Sequence, residues 1–228
     1  ALYMLRRGTL FPAACLPRPR DALPNLLFGA PILFVSVCVL SQYAVMQWYV
    51  NATQGVAGAA VHKVLVGVFA MCAFFGEPLA LTAQSFLPAR IKAGGGAAPR
   101  FAGLLAQLAY GVGAAVGAAA AAVILLAPGA FTPEPAVAAG MAAAAKPVCA
   151  VLLLCVPLRA LQGTVVAYGD LGAYAALNAL ASATFFALLT AVAARAPGYA
   201  QMWLATLGFY AASTVAFAAR SAVLLKRR

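Results

Sequence analysis

VLVGVFAMCAFFGEPLALTAQSF, residues 64–86, opens with a run that is apolar from Val64 to Leu81 apart from Glu77, which Pro78 follows at once. Such a run approaches the ~20 residues that carry a helix across the hydrocarbon core of a bilayer. Lys63 stands fourteen residues before Glu77, and Arg90 thirteen after it. At ~1.5 Å per residue, each base lies about 20 Å from the acid along a helix. With both bases at the interfaces, Glu77 falls near the midplane. A carboxylate is expensive against lipid there, so it should face protein or a wet cavity. Pro78 has no N–H to give the carbonyl of Phe74, which is expected to stand free beside the carboxyl group. Lys63, Ala70, Glu77 and Gln84 recur every seven residues, and so share one helix face within ~60°.

Two readings of this acid stay open. Glu77 and Pro78 form a proton or cation site at a kinked helix, serving coupling or gating. Alternatively, Glu77 is a structural acid, satisfied by Lys146 or by a serine on another span.

The rest of the chain belongs to the same class. It has 228 residues, is 65% hydrophobic and only 8% charged, whereas a soluble domain is about a quarter charged. Six stretches are apolar enough to span: about 26–50, 58–88, 101–127, 136–157, 171–194 and 200–224. Polar or proline-rich breaks separate them: NATQG at 51–55, RIKAGGGAAPR at 90–100, PGAFTPEP at 128–135 and ARAPGY at 194–199. Lys146–Pro147 interrupts the fourth stretch. The fold class is therefore all-α integral membrane, with six transmembrane helices. Residues 1–25 form a separate basic, proline-rich segment, either an inner-side linker or the remnant of a targeting peptide. The sequence begins with Ala, which fits a piece of a longer chain.

The net charge of +11 would point to nucleic acid on a soluble protein. Here the bases flank apolar stretches, so the lipid bilayer is the partner and nucleic acid is not. Lys and Arg gather in residues 1–25, in the 90–100 loop, in the 158–170 loop with Arg159, and in the tail. The opposite loops hold only Arg195, with Lys63 and Lys146 just inside their helices. The positive-inside rule puts both ends on the cytoplasm-equivalent side, and an even number of spans requires the same.

Little else carries chemistry. Asp21, Glu77, Glu134 and Asp170 are the acids and His62 the one histidine, so no catalytic triad or metal site forms and no cofactor or enzymatic activity is expected. His62 reads as an interfacial residue. The cysteines form no CxxC pair and read as small core residues. Gly94–Gly96 lack the ending of a phosphate loop and read as a flexible turn. Asn51-Ala-Thr53 is a weak match to a glycosylation acceptor. The first span carries Ser36, Ser41, Gln42 and Gln47 as its polar groups.

The residues also carry a resemblance. AVHKVLVGVFAMCAFFGEPLALTAQSFLPARI (60–91) resembles the eighth helix of the multidrug and toxic compound extrusion (MATE) transporters, particularly the plant plastid-envelope branch. The matching positions are His62, Gly76 to Leu79, Thr82 to Phe86 and Pro88. QGTVVAYGDLGAY (162–174) and MWLATLGFYAASTVAFAAR (202–220) are similar to later parts of that branch, in the right order. The likeness runs from about residue 25 to the end. It departs at Lys63 and Leu81, where glutamines are usual, and at Gly169, where an arginine is. The first span also lacks the acid that many multidrug members carry.

The resemblance implies helices seven to twelve, one lobe of a twelve-helix antiporter whose partner is a preceding six-helix lobe absent from this sequence. It implies export of small organic compounds (organic anions, aromatic acids or xenobiotics) in exchange for H+ or Na+. It also implies a plastid envelope, with the plasma or vacuolar membrane as alternatives. Glu77 and Pro78 are then the coupling or gating residues. Gln84, Gln42 and Gln47 are candidates to line the substrate cavity, and Lys146 to attract an anionic substrate there. A lipid flippase of the same wider superfamily and a non-transporting scaffold subunit are the competing readings.

Overall fold

The computed structural model describes residues 19–195 and 198–226. Most of the basic N-terminal segment lies outside them. The described residues form seven α-helices: α1 (Pro19–Thr53), α2 (Gly55–Ala73), α3 (Glu77–Ala93), α4 (Ala97–Leu126), α5 (Pro135–Ala167), α6 (Leu171–Arg195) and α7 (Tyr199–Lys226). Three-residue 3-10 turns lie at Phe74–Gly76 and Pro128–Ala130, and no strand occurs among the described residues. With α2 and α3 taken as one broken rod, there are six helices long and apolar enough to cross a membrane. The chain is an all-α, multi-pass integral membrane protein.

Helix α5 is the centre of the bundle, packed on α2, α3, α4 and α7. Over half of its most apolar window is buried, although lipid would accept every apolar face of it. Small residues make this possible. Gly113 and Gly117 of α4 face Leu153 and Cys149 of α5, so closely that an added Cβ at Gly113 would stand 3.0 Å from the Leu153 carbonyl oxygen. Such close approach replaces the hydrophobic effect as the source of helix association in lipid, through dispersion contacts.

The fourth stretch differs from its sequence reading. The 136–157 span continues to Ala167, and neither Pro147 nor Pro157 stops it. Neighbouring helices re-satisfy the backbone groups that a proline frees. Arg159 therefore belongs to a spanning helix and not to an inner loop.

The bundle has two ends with different fastenings. An aromatic cluster ties α1, α2, α6 and α7 together: Phe69 meets Tyr43 of α1 at 6.5 Å and contacts Trp203 and Tyr210 edge-on at 5.8 and 6.0 Å, and Phe209 meets Phe185 at 6.2 Å. At the basic side, Arg220 of α7 donates to Asp170, with Nε 2.7 Å from Oδ2, and its Nη2 pairs with the same oxygen. Asp170 Oδ1 also accepts from the N–H of Ala173, at the start of α6.

Removing Arg159 from the inner loops leaves the charge bias intact, because Arg90, Lys92, Arg100 and Lys226 stay at that end. Single-cysteine labelling should thus reach residues 90–100 and both chain ends from one side, and residues 51–55, 128–135 and 195–199 from the other. Labelling of the 90–100 and 128–135 loops from the same side would exclude the six-span topology.

Candidate functional site

Glu77 is the first residue of α3, roughly 33 Å along the broken rod from Gly55 and roughly 24 Å from Ala93. Pro78 cannot supply the N–H that an unbroken helix would give to Phe74. The chain answers by tightening: Phe74–Gly76 winds as a 3-10 turn, and the Glu77 N–H donates to the Phe74 carbonyl. The carbonyl expected to stand free is therefore occupied, because a 3-10 turn shifts its donor by one residue.

The break brings Gly76 against α5. A Cβ at Gly76 would lie 2.8 Å from Cγ of Arg159 and 3.4 Å from Cα of Val156. Only glycine lets the arginine stem lie across this backbone. The guanidinium then reaches forward, with Nε 3.2 Å from Glu77 Oε1. The partner of Glu77 is this arginine, neither Lys146 nor a serine. Lys146 is exposed and lies about 20 Å from Arg159 along α5.

The ion pair is one end of a longer polar chain. Arg159 Nη1 donates to Gln162 Oε1 at 3.3 Å, and Gln162 Nε2 donates to Asn178 Oδ1 at 3.0 Å. Asn178 Nδ2 donates to the Tyr174 carbonyl at 2.7 Å, and the Asn178 carbonyl accepts from the Ser182 hydroxyl at 2.8 Å. Gln42 Nε2 donates to Ser182 Oγ at 2.8 Å. The chain thus crosses α3, α5, α6 and α1. Its neutral members Gln162, Asn178, Ser182 and Gln42 are each at most 8% exposed. The charged side chains stay open, Arg159 at 30% and Glu77 at 47%.

This gradient has a physical reason. A buried neutral amide is stable once its donors and acceptors are paired, whereas a buried ion pair must recover a large desolvation penalty. The charges therefore sit at the open end of the chain and the amides at its dry, buried end. A small crevice runs beside the chain, lined by Gln42, Tyr43, Arg159, Gln162, Asn178 and Tyr210. A second, mostly aromatic crevice shares Gln42, Tyr43 and Tyr210 with it and extends to Trp203. An arginine beside a carboxylate can exchange that partner for a proton-neutralised state or for another anion.

Of the residues singled out in the sequence, Glu77 and Pro78 form the break, and Gln42 closes the far end of the polar chain. Gln47 is half-buried and donates to Asn51 one turn on, at 2.9 Å. Gln84 is exposed and outside the chain. His62 is buried, with Nδ1 3.4 Å from the hydroxyl of Tyr199, the first residue of α7, so it makes an inter-helix contact near that helix end. The described cysteines are free thiols. Among the described residues no group of three His, Cys, Asp or Glu could hold a metal.

Arg159, Gln162, Asn178 and Ser182 were not legible as a site. One signal for the first two existed: the apolar pattern continues past Pro157 through Leu158, Leu161, Val165 and Val166. That continuation places Arg159 and Gln162 on one helix face at i, i+3 spacing.

No protein-family model matches the chain, and no solved structure matches it significantly. Among curated proteins, it is 26% identical over 199 residues to Protein DETOXIFICATION 47, chloroplastic, of Arabidopsis thaliana. The match takes in 85% of this chain but only 36% of that protein, so the chain spans about a third of its relative. The similarity agrees with the likeness to MATE transporters read from the sequence, at the level of the family.

Proposed function

We propose that this chain is the C-terminal six-helix lobe of a MATE-type secondary antiporter, and that the Glu77–Arg159 pair is its coupling or gating switch. The observation that carries the reading is a half-exposed carboxylate paired with an arginine midway along a broken spanning rod. Protonation or cation binding at Glu77 releases Arg159. The released guanidinium then attracts an organic anion into the crevice beside Gln162 and Asn178, or pulls the α3 end of the polar chain into a second arrangement. Either event gives a gradient-driven ion an energetic hold on the helix packing, which alternating access requires. The substrate is a small organic compound, the coupling ion H+ or Na+, and the membrane a plastid envelope. Gln42 supports the switch from the dry end, whereas Gln47, Gln84 and Lys146 line the cavity only if the other lobe closes over them.

The proposal has a direct test at the level of the whole chain. Proteoliposomes holding these 228 residues alone should show no gradient-driven substrate uptake, and adding the preceding six helices should restore it. Uptake by the 228 residues alone would overturn the half-transporter reading.

A further inference from the structure

We propose that a groove between α4, α5 and α7 binds one anionic phospholipid from the leaflet on the basic side. Its acyl chain lies along an apolar trough, and its headgroup phosphate sits at the Gly94–Gly96 turn.

The trough is an open groove of about 210 Å³, lined by Gly103 and Ala106 of α4, Ala160 and Thr164 of α5, and Ser221 and Leu225 of α7. Its flanks are bathed in hydrocarbon once the helices span a bilayer: Leu104 and Leu108 are 66% and 55% exposed. The solute available there is lipid.

A second crevice continues the trough, sharing Pro99 and Leu225, and is lined by Arg90, Tyr168 and the three glycines. Those glycines have φ of +70°, +60° and +76°. That left-handed run folds the α3–α4 connection back over the mouth of the trough at little steric cost. Arg90 is held there, its guanidinium 3.9 Å from the centre of the Phe101 ring and donating to the Phe86 carbonyl. Lys92, Arg100 and Lys226 are exposed at the same end. Among the described residues, neither ion pair involves any of these four bases. Unpaired bases at the membrane surface attract anionic headgroups.

Ser221 is the independent pointer to a ligand. It is 4% exposed, lines the trough, and its hydroxyl has no hydrogen-bond partner. A buried hydroxyl is normally satisfied. Ser221 lies one turn, ~6 Å, inward from Leu225, where the two crevices join. The ester carbonyl of a phospholipid whose phosphate sits at the glycine turn would accept that hydroxyl.

The test is native mass spectrometry of the purified chain, titrated with phosphatidylglycerol and, separately, phosphatidylcholine. One phosphatidylglycerol should be retained per chain, with about tenfold preference over phosphatidylcholine. An added Cβ at Gly103 meets nothing within 4 Å, so Gly103→Leu should fill the trough without disturbing the bundle. It should weaken retention of phosphatidylglycerol about tenfold. Ala222→Leu, also in the trough wall, should do the same. Arg90→Gln with Arg100→Gln should erase the headgroup preference while leaving weak retention of both lipids. Equal retention of the two lipids by the unaltered chain would overturn the proposal. So would unchanged retention in both leucine variants, or a dimer of this chain that the leucine variants dissolve.

Discussion

Exchange of Glu77 for glutamine is expected, on the proposed antiporter reading, to abolish gradient-driven export by the full-length protein while leaving it folded and inserted. Glutamine keeps the volume and an oxygen that can accept from Arg159 Nε, now 3.2 Å from the carboxylate. What it removes is ionisation. In the proposed switch, Arg159 is then left without an ionisable partner whose state could follow the ion gradient, and the polar chain to Gln42 stays in one arrangement. Breaking a fully buried pair costs about 3–5 kcal/mol. Here both side chains are partly exposed, at 47% and 30%, so Arg159 keeps room to move to another partner and the loss is smaller. Folding should survive. Glu77→Asp should retain some export, because the acid persists one methylene short. The double variant Glu77→Gln with Arg159→Gln should restore any lost stability but not the export. Uptake assays across a pH series, beside thermal melting of each variant, separate these effects. Export by Glu77→Gln at the wild-type rate and with the same pH dependence would make Glu77 a structural acid.

The second large effect is expected at Gly163. An added Cβ there would lie 2.5 Å from the carbonyl oxygen of Ala80 and 2.7 Å from its Cα. Both atoms are backbone, so no rotamer change relieves the clash, and α3 must move away from α5. That movement also pulls Glu77, three residues before Ala80, away from Arg159. Overpacking typically costs about 1–3 kcal/mol where side chains can shift, and a backbone clash at a helix crossing belongs at or above the top of that range. Gly163→Leu should therefore lower the melting temperature by about 10 °C or prevent recovery of monodisperse protein. Gly163→Ala should show part of the same loss. Gly103→Leu, whose Cβ meets open space, should melt near the wild-type temperature. Equal melting of Gly163→Leu and wild type would mean that α3 and α5 do not cross there.

Much of the architecture was legible because a bilayer constrains sequence strongly. Spanning helices must be long and apolar, their ends polar, and their basic residues biased to one side. The six spans followed from that, as did the break at Glu77–Pro78. The two details that went astray have different causes. The Phe74 carbonyl is expected to be free if the helix stays α-helical up to the proline, but the backbone tightens to a 3-10 turn and the Glu77 N–H, three residues on, takes the place of the missing donor. Arg159 was assigned to an inner loop because Pro157 and a charge look like the end of a span. The helix continues because α3, α4 and α7 surround it.

The sequence by itself determined the class of the molecule, its spans and the oddity of an acid within one of them. Those properties reflect each residue's transfer between water and hydrocarbon, which is local and nearly independent of what lies opposite. Only the tertiary structure decided that the acid meets Arg159 and that Gln162, Asn178, Ser182 and Gln42 form one chain with the pair. It also decided that Gly76 and Gly163 are the contacts through which the broken rod lies on α5. Hydrogen bonds and close helix crossings act over a few ångströms between residues as far apart in sequence as Gln42 and Ser182, and no local pattern records such a pairing.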